Sequence, residues 1–423
     1  MKKFVVIWIG ELVSSIGSGM TAFAISIYIY GQTGSATLVS MATLLAFLPT
    51  VLLSPVGGIL ADRYDRRLMM ILGDSLSVIG LIIAFIGIQT GWGDIPAILI
   101  GITISSVFVS LIEPSFKATV TDLLSEDEYA RASGLIQIAG SSRYLVSPVL
   151  AGFILSVSDI RLILIIDMAT IIVTVLTLLV VRKNMHLSKP CKKEFNFFKS
   201  FRKGIEGIAQ NTTVKSLTIL MTLICFFIAF LQTLLTPMVL ALSDVKTLGV
   251  METISSVGML IGSVIIGILN IRSHYSHILK IALMAAGISM ALSGTTCSIW
   301  GIGVFCFFVF LSIPFANTCA DVLVRTNIPN DIQGRVWGII SIITQSGFIA
   351  AYAISGFLAD YVFEPAMAND GFIAKTAGRI IGTGKGRGIG LMLVLAGILM
   401  FSSAFFLSFD KSVSKTEGGK IIE

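Results

Sequence analysis

Charge is what this sequence has least of. Asp, Glu, Lys and Arg together make up 13% of its 423 residues, where a soluble domain carries about a quarter. That shortage argues against a soluble globular fold. Histidine is scarcer, at three residues, and cysteine is limited to five. No two cysteines form a C-x-x-C pair, and four lie inside apolar runs, so neither a disulfide framework nor a cysteine metal site is expected. His274 and His277 have a metal-like spacing but no third ligand. There is no Gly-Lys-Ser/Thr, so ATP drive within the chain is not expected. The glycine-rich stretch from Gly382 to Gly390 lacks the Gly-x-Gly-x-x-Gly register of a dinucleotide site. Nothing groups Ser, His and Asp, or Cys and His. The chain is therefore read as non-enzymatic, with no cofactor and no metal.

Long apolar runs are what is present. The sequence is 55% hydrophobic with a mean hydropathy of +0.92. Runs near 4–30, 38–61, 68–90, 95–121, 131–156, 160–182, 216–242, 248–271, 278–297, 299–325, 334–361 and 389–409 are each long enough to cross a bilayer as a helix. A helix satisfies its own backbone in lipid, so an all-α membrane protein with twelve spans is expected. The first run is too long for a signal-peptide core and is read as a retained helix. The formal charge of +6 does not point to nucleic acid, because the basic residues sit beside spans. Twenty-three fall in one set of alternate loops and six in the other, with Arg143 inside a span. The positive-inside rule then puts both termini in the cytoplasm.

One long stretch, 183–215, divides the chain into six-span halves, 1–182 and 216–423. Within it Phe195, Phe197, Phe198, Phe201, Ile205 and Ile208 alternate with Lys199, Arg202 and Lys203, the pattern of a basic amphipathic helix on the inner leaflet. The halves look related. At an offset of 204, Asp127, Arg131, Gly134, Ile138, Gly152 and Phe153 fall on Asp331, Arg335, Gly338, Ile342, Gly356 and Phe357. Two parallel repeats suit a transporter with a substrate path between them.

The sharpest motif is Gly58-Ile-Leu-Ala-Asp62-Arg63-Tyr-Asp65-Arg66-Arg67, between spans 2 and 3. A positive-inside loop needs the arginines but not a Gly and an Asp at fixed spacing. The motif resembles the signature of the major facilitator superfamily. Ser35-Ala-Thr, Pro49, Ser54-Pro55, Gly73-Asp74, the segment Asp321 to Trp337 and the segment Phe363 to Gly388 narrow the resemblance to its macrolide-efflux-like branch. The resemblance implies a major facilitator fold of two pseudo-symmetric six-helix bundles. It implies that Asp62 faces the start of span 11 near Gly334 and Arg335, and that one of Arg63, Arg66 and Arg67 pairs with a carboxylate such as Asp122. These contacts would latch one state of an alternating-access cycle.

The same resemblance implies a monomeric exporter in a bacterial cytoplasmic membrane. It would carry a lipophilic small molecule, a macrolide above all, in exchange for protons; the branch also includes siderophore exporters. Ser147-Pro148-Val-Leu-Ala-Gly152 keeps only part of the antiporter motif of span 5, and span 4 lacks the arginine many proton-coupled relatives carry. Arg143 is the alternative charge. A charge at mid-membrane costs at least ~2.5–3.5 kcal/mol, so it should meet a cavity or a carboxylate. Glu113 and Asp167, and after them Glu11, are the candidate partners and proton carriers. Glu252 and Asp321 sit near span ends and read as interfacial. The Phe and Met stripes read as packing or lipid-facing surface.

Overall fold

The computed structural model describes the chain except residues 1, 92, 125–127, 184–204, 207, 210, 270–273, 329–332, 369–372 and 410–423. Among the described residues, twelve helices are long and apolar enough to cross a membrane. They are spans 1 (Lys3–Thr33), 2 (Ala36–Ala61), 3 (Arg66–Thr90), 4 (Asp94–Val120), 5 (Gly134–Val157), 6 (Ile160–Arg182), 7 (Thr212–Leu242), 8 (Val245–Ile268), 9 (Tyr275–Thr295), 10 (Ile299–Thr326), 11 (Val336–Met367) and 12 (Arg387–Ala404). Most ends lie within a few residues of those read from hydropathy. Span 11 runs on to Met367 through a wide π-helical turn, Ala359–Phe363, that hydropathy does not reveal. The expected basic amphipathic helix lies for the most part outside the described residues.

The chain forms two compact units, Met1–Glu194 with Val245–Thr253, and Phe195–Asp244 with Ile254–Glu423. In the first, span 1 packs on spans 5 and 6, and span 3 on spans 4 and 6. In the second, span 7 packs on spans 11 and 12, and span 9 on spans 10 and 12. The same pairings recur six helices apart.

Short polar side chains start several of the spans. Ser35 caps span 2 at Leu38 N–H (3.3 Å), Ser298 caps span 10 at Gly301 N–H (3.4 Å), and Asp65 accepts from Arg67 N–H (3.1 Å) at the head of span 3. Asn211 caps span 7 and donates to the Asn327 carbonyl (2.9 Å), tying span 7 to the end of span 10.

Proline shapes the interiors. Pro49 has no N–H for the Leu45 carbonyl, which instead accepts from Ser106 Oγ of span 4 (3.0 Å). Pro114 likewise withdraws the donor that the Ser110 carbonyl would take, and span 4 breaks there into Asp94–Val109 and Ile112–Leu123. Gly57 of span 2 stands against that carbonyl, where a Cβ would lie 2.7 Å from the oxygen. Span 5 breaks at Val146, just before Pro148.

The second unit explains the glycine-rich stretch. Gly382, Gly384 and Gly386 have φ of 86°, 109° and 82°, a backbone that side chains resist. The turn they make brings Gly386 and Ile389 N–H onto the Glu364 carboxylate, at 3.1 Å each, so an acid covers the positive end of span 12. Arg387 is buried and donates to the Thr296 (2.9 Å) and Ile381 (3.4 Å) carbonyls. Replacing Glu364 with Ala is expected to cost about 1–2 kcal/mol, within the range for lost caps. The midpoint of thermal unfolding in detergent should fall by a few degrees; an unchanged midpoint would show that this clasp adds no stability.

Candidate functional site

The signature motif closes span 2 and opens span 3. Asp65, the cap of span 3, also accepts from Arg182 Nε at the end of span 6 (2.9 Å). Arg66 turns back along span 4. Its Nη1 donates to Asp122 Oδ1 (2.6 Å) and to the Ala118 carbonyl (2.9 Å), and its Nε to the Ala61 carbonyl (3.4 Å). The Arg66 and Asp122 side chains are about three-quarters covered, at 26% and 24% exposure, so the pair is worth more than a free surface bridge. One arginine thus ties spans 2, 3 and 4 together. Arg67 is buried, Arg63 is exposed, and Gly58 has nothing within 4 Å of where a Cβ would stand. Asp62, Gly334 and Arg335 lie in helices, and the surroundings of all three fall outside what is described.

The acidic residues inside the first unit separate into two environments. Glu113 is exposed and pairs with Lys117 one turn along the helix (2.6 Å). Asp167 is 2% exposed. Its Oδ1 accepts from Ser18 Oγ of span 1 (3.4 Å) and Thr170 Oγ1 (3.5 Å). Gly17 makes the approach possible, since a Cβ there would lie 2.8 Å from Asp167 Oδ1. Arg143 lies within electrostatic reach of Asp167, with its side chain exposed on this unit. Glu11 lies within reach of Glu113. Of the carboxylates proposed for Arg143, the structure brings Asp167 near it.

A residue outside the sequence-derived set joins them. Asp74 of span 3 is buried, its Oδ2 has no hydrogen-bond partner, and both Glu11 and Asp167 are within its electrostatic reach. A lone acid in an apolar run was a legible signal, but hydropathy cannot say whether it faces inward. Glu252 lies two turns inside span 8 and is half-buried.

The span 5 motif is a packing surface. Ser147 is buried and donates to the Ile16 carbonyl of span 1 (2.9 Å). Gly249 of span 8 rests on Pro148, where a Cβ would be 2.5 Å from the carbonyl oxygen. Gly152 faces Val245, and Thr253 Oγ1 donates to the Leu145 carbonyl (3.1 Å). Small residues let these backbones meet.

At the opposite end of the unit, Tyr28 donates to Asp94 (2.9 Å), and Arg161 binds Asp159 and Gln89. Arg161 beside Asp159 holds that carboxyl below the usual carboxylate range. The pair therefore contributes at neutral pH and is lost only as pH falls through the lowered value. Beside this network lies a cavity of about 390 Å³ lined by Tyr28, Asp159, Arg161 and apolar side chains of spans 1, 3, 5, 6 and 8. Among the described residues, no group of three or more His, Cys, Asp or Glu is placed to hold a metal ion.

Comparison with known proteins bears on the whole chain. Residues 7–352 match the family model described as Major Facilitator Superfamily. A protein of Streptococcus pyogenes named macrolide efflux protein A is 27% identical over 378 residues, covering 85% of this chain and 90% of that one. A protein of the same name from Enterococcus faecalis is 27% identical over 324 residues, covering 72% and 96%. Among solved structures, a bacterial homologue of the iron transporter ferroportin in an inward-facing state superposes with a TM-score of 0.72 at 13% identity, covering 96% of this chain and 99% of that one. A D-xylose–proton symporter gives 0.70 at 12% identity, covering 99% of both.

Proposed function

The chain belongs to the Major Facilitator Superfamily, and on that premise we propose that it exports a macrolide-type antibiotic from bacteria in exchange for protons. As a superfamily member it is a multi-pass transporter of a small molecule. The observation that carries the finer reading is the near full-length match, at 27% identity, to proteins named for macrolide efflux. Buried carboxylates in the first unit support the proton. Membrane interiors tolerate ionisable groups rarely, and those present are commonly functional. Inward movement of each charge down the membrane potential releases ~2.3 kcal/mol per 100 mV.

In this reading the membrane is the bacterial cytoplasmic one, both termini are cytoplasmic, and the transporter works as a monomer. The cytoplasmic latch comprises Gly58, Asp62, Arg63, Arg66, Arg67 and Asp122 of the first half with Gly334 and Arg335 of the second. Ser147, Pro148 and Gly152 form the pivot surface of span 5. Arg143, Asp167, Glu11 and Glu113 handle the coupling proton.

The test is accumulation of labelled erythromycin in drug-sensitive bacteria carrying this chain or an empty vector, with and without a protonophore. Lower accumulation that the protonophore restores is the expected result. Equal accumulation, with the protein present in the membrane, would remove the macrolide and send the search to siderophores, lipids and other drugs. Reduced accumulation that the protonophore leaves untouched would remove the proton.

A further inference from the structure

We propose that Asp74 is the middle member of a proton ladder, Glu11–Asp74–Asp167, enclosed within the first six-span unit. Three spans contribute one acid each: Glu11 from span 1, Asp74 from span 3 and Asp167 from span 6. Asp74 is 4% exposed, and its Oδ2 is buried with no partner. The hydroxyl of Thr21 faces Asp167 but makes no hydrogen bond by geometry. Both are buried polar atoms inside the first unit. A fixed structural acid would use its oxygens on neighbouring donors, as Glu364 does on span 12.

The three acids occupy two levels along the membrane normal. Asp167 lies seven residues into span 6, and Glu11 and Asp74 each lie eight residues into spans 1 and 3 from the opposite end. At 1.5 Å per residue those depths are roughly 10 and 12 Å, so Glu11 and Asp74 share one level and the step from Asp74 to Asp167 crosses the middle of a core about 30 Å thick. Each member has the next within electrostatic reach. Glu113 faces Glu11 from span 4, Arg143 faces Asp167 from span 5, and Arg67 is the other buried charge on span 3.

The ligand that fits is a proton rather than a metal. The three acids do not converge on one ion position. Three negative charges in an apolar interior repel and lack solvation. A bound proton removes one charge at a time. In each hop the carboxylic acid of one member gives its proton to the carboxylate of the next, directly or through a water. One acid and one carboxylate exchange places, and the net charge is unchanged until the proton leaves to water at either end. The first donor is water on the side of higher proton activity, and the last acceptor is water on the other.

For its purpose the ladder rests on the proton-exchange reading above; its test does not. The full chain in lipid nanodiscs, without any drug, would be titrated with pH while infrared difference spectra are recorded in H₂O and D₂O. The expected result is a carbonyl band of an un-ionised carboxylic acid that shifts in D₂O. It should be lost in Asp74→Asn, retained in Asp74→Glu, and shifted in Asp167→Asn and Glu11→Gln. Should Asp74→Asn fail to fold, the shifts in the other two variants decide. A band that survives Asp74→Asn, or that ignores both Asp167→Asn and Glu11→Gln, would overturn the ladder whatever the chain transports.

Discussion

Cells carrying Arg66→Ala should accumulate drug as though they held an empty vector, while the protein reaches the membrane in normal amount. Arg66 is the only side chain of the motif described as bonding three ways at once, to Ala61, Ala118 and Asp122. A hydrogen bond to a charged group contributes ~1.5–3 kcal/mol. A loss of that size moves a two-state equilibrium by about ten- to a hundredfold. A transporter shifted that far toward one state spends too little time in the other to cycle. Asp122→Ala should do the same from the other side, and Arg66→Lys should restore part of the activity, because an ammonium reaches Asp122 as a point charge without the fork. The measurement is uptake of whichever substrate the unmodified chain exports, normalised to protein in the membrane. Undiminished export by both Arg66→Ala and Asp122→Ala would end the latch proposal, including the part assigned to Asp62.

A second substitution should remove the protein altogether. Gly80 of span 3 and Gly101 of span 4 meet backbone to backbone. A Cβ on Gly80 would press on the Gly101 carbonyl oxygen and lie 2.7 Å from Ser105 N. Neither atom can move without its helix. Overpacking a core costs ~1–3 kcal/mol even where side chains give way; here only the helix axes can give, against a total stability of about 5–15 kcal/mol. Gly80→Leu should therefore leave little monodisperse protein on size exclusion in detergent. Gly140→Leu is the matched control, since Gly140 has nothing within 4 Å of that position. Equal recovery of the two would show that spans 3 and 4 are less closely seated than this geometry requires.

The twelve spans were legible because a membrane helix announces itself by composition over some 20 residues, and the arginine-rich motif because its spacing is fixed. What was not legible depended on facing. Pro114 and Pro148 are plain in the sequence, but proline occurs in both kinked and broken spans, so the interruptions at Ser110–Leu111 and Val146 needed coordinates. Asp74 and Glu113 are both single acids in apolar surroundings, yet one is buried without a hydrogen bond at Oδ2 and the other lies exposed beside Lys117. Hydropathy carries depth along a span and nothing of rotation about it. The glycine-rich stretch before span 12 could be excluded as a nucleotide site from register alone. Its work in carrying backbone N–H groups to Glu364 depends on a partner some 22 residues away.

The placement of proline divides the first unit mechanically. Spans 1, 3 and 6 contain none, while span 2 carries Pro49 and Pro55, span 4 Pro96 in its first turn and Pro114 further on, and span 5 Pro148. A helix lacking a backbone bond bends at low cost, and an uninterrupted one does not. Spans 2 and 4 touch beside these breaks, Ser106 on Leu45 and Gly57 on Ser110, so a bend in one is passed to the other. Spans 1, 3 and 6 form a stiff frame, and it carries the buried Asp74 and Asp167 and the half-buried Glu11. Bending in the wall then leaves the spacing of those acids unchanged, as a hinged door leaves its frame true.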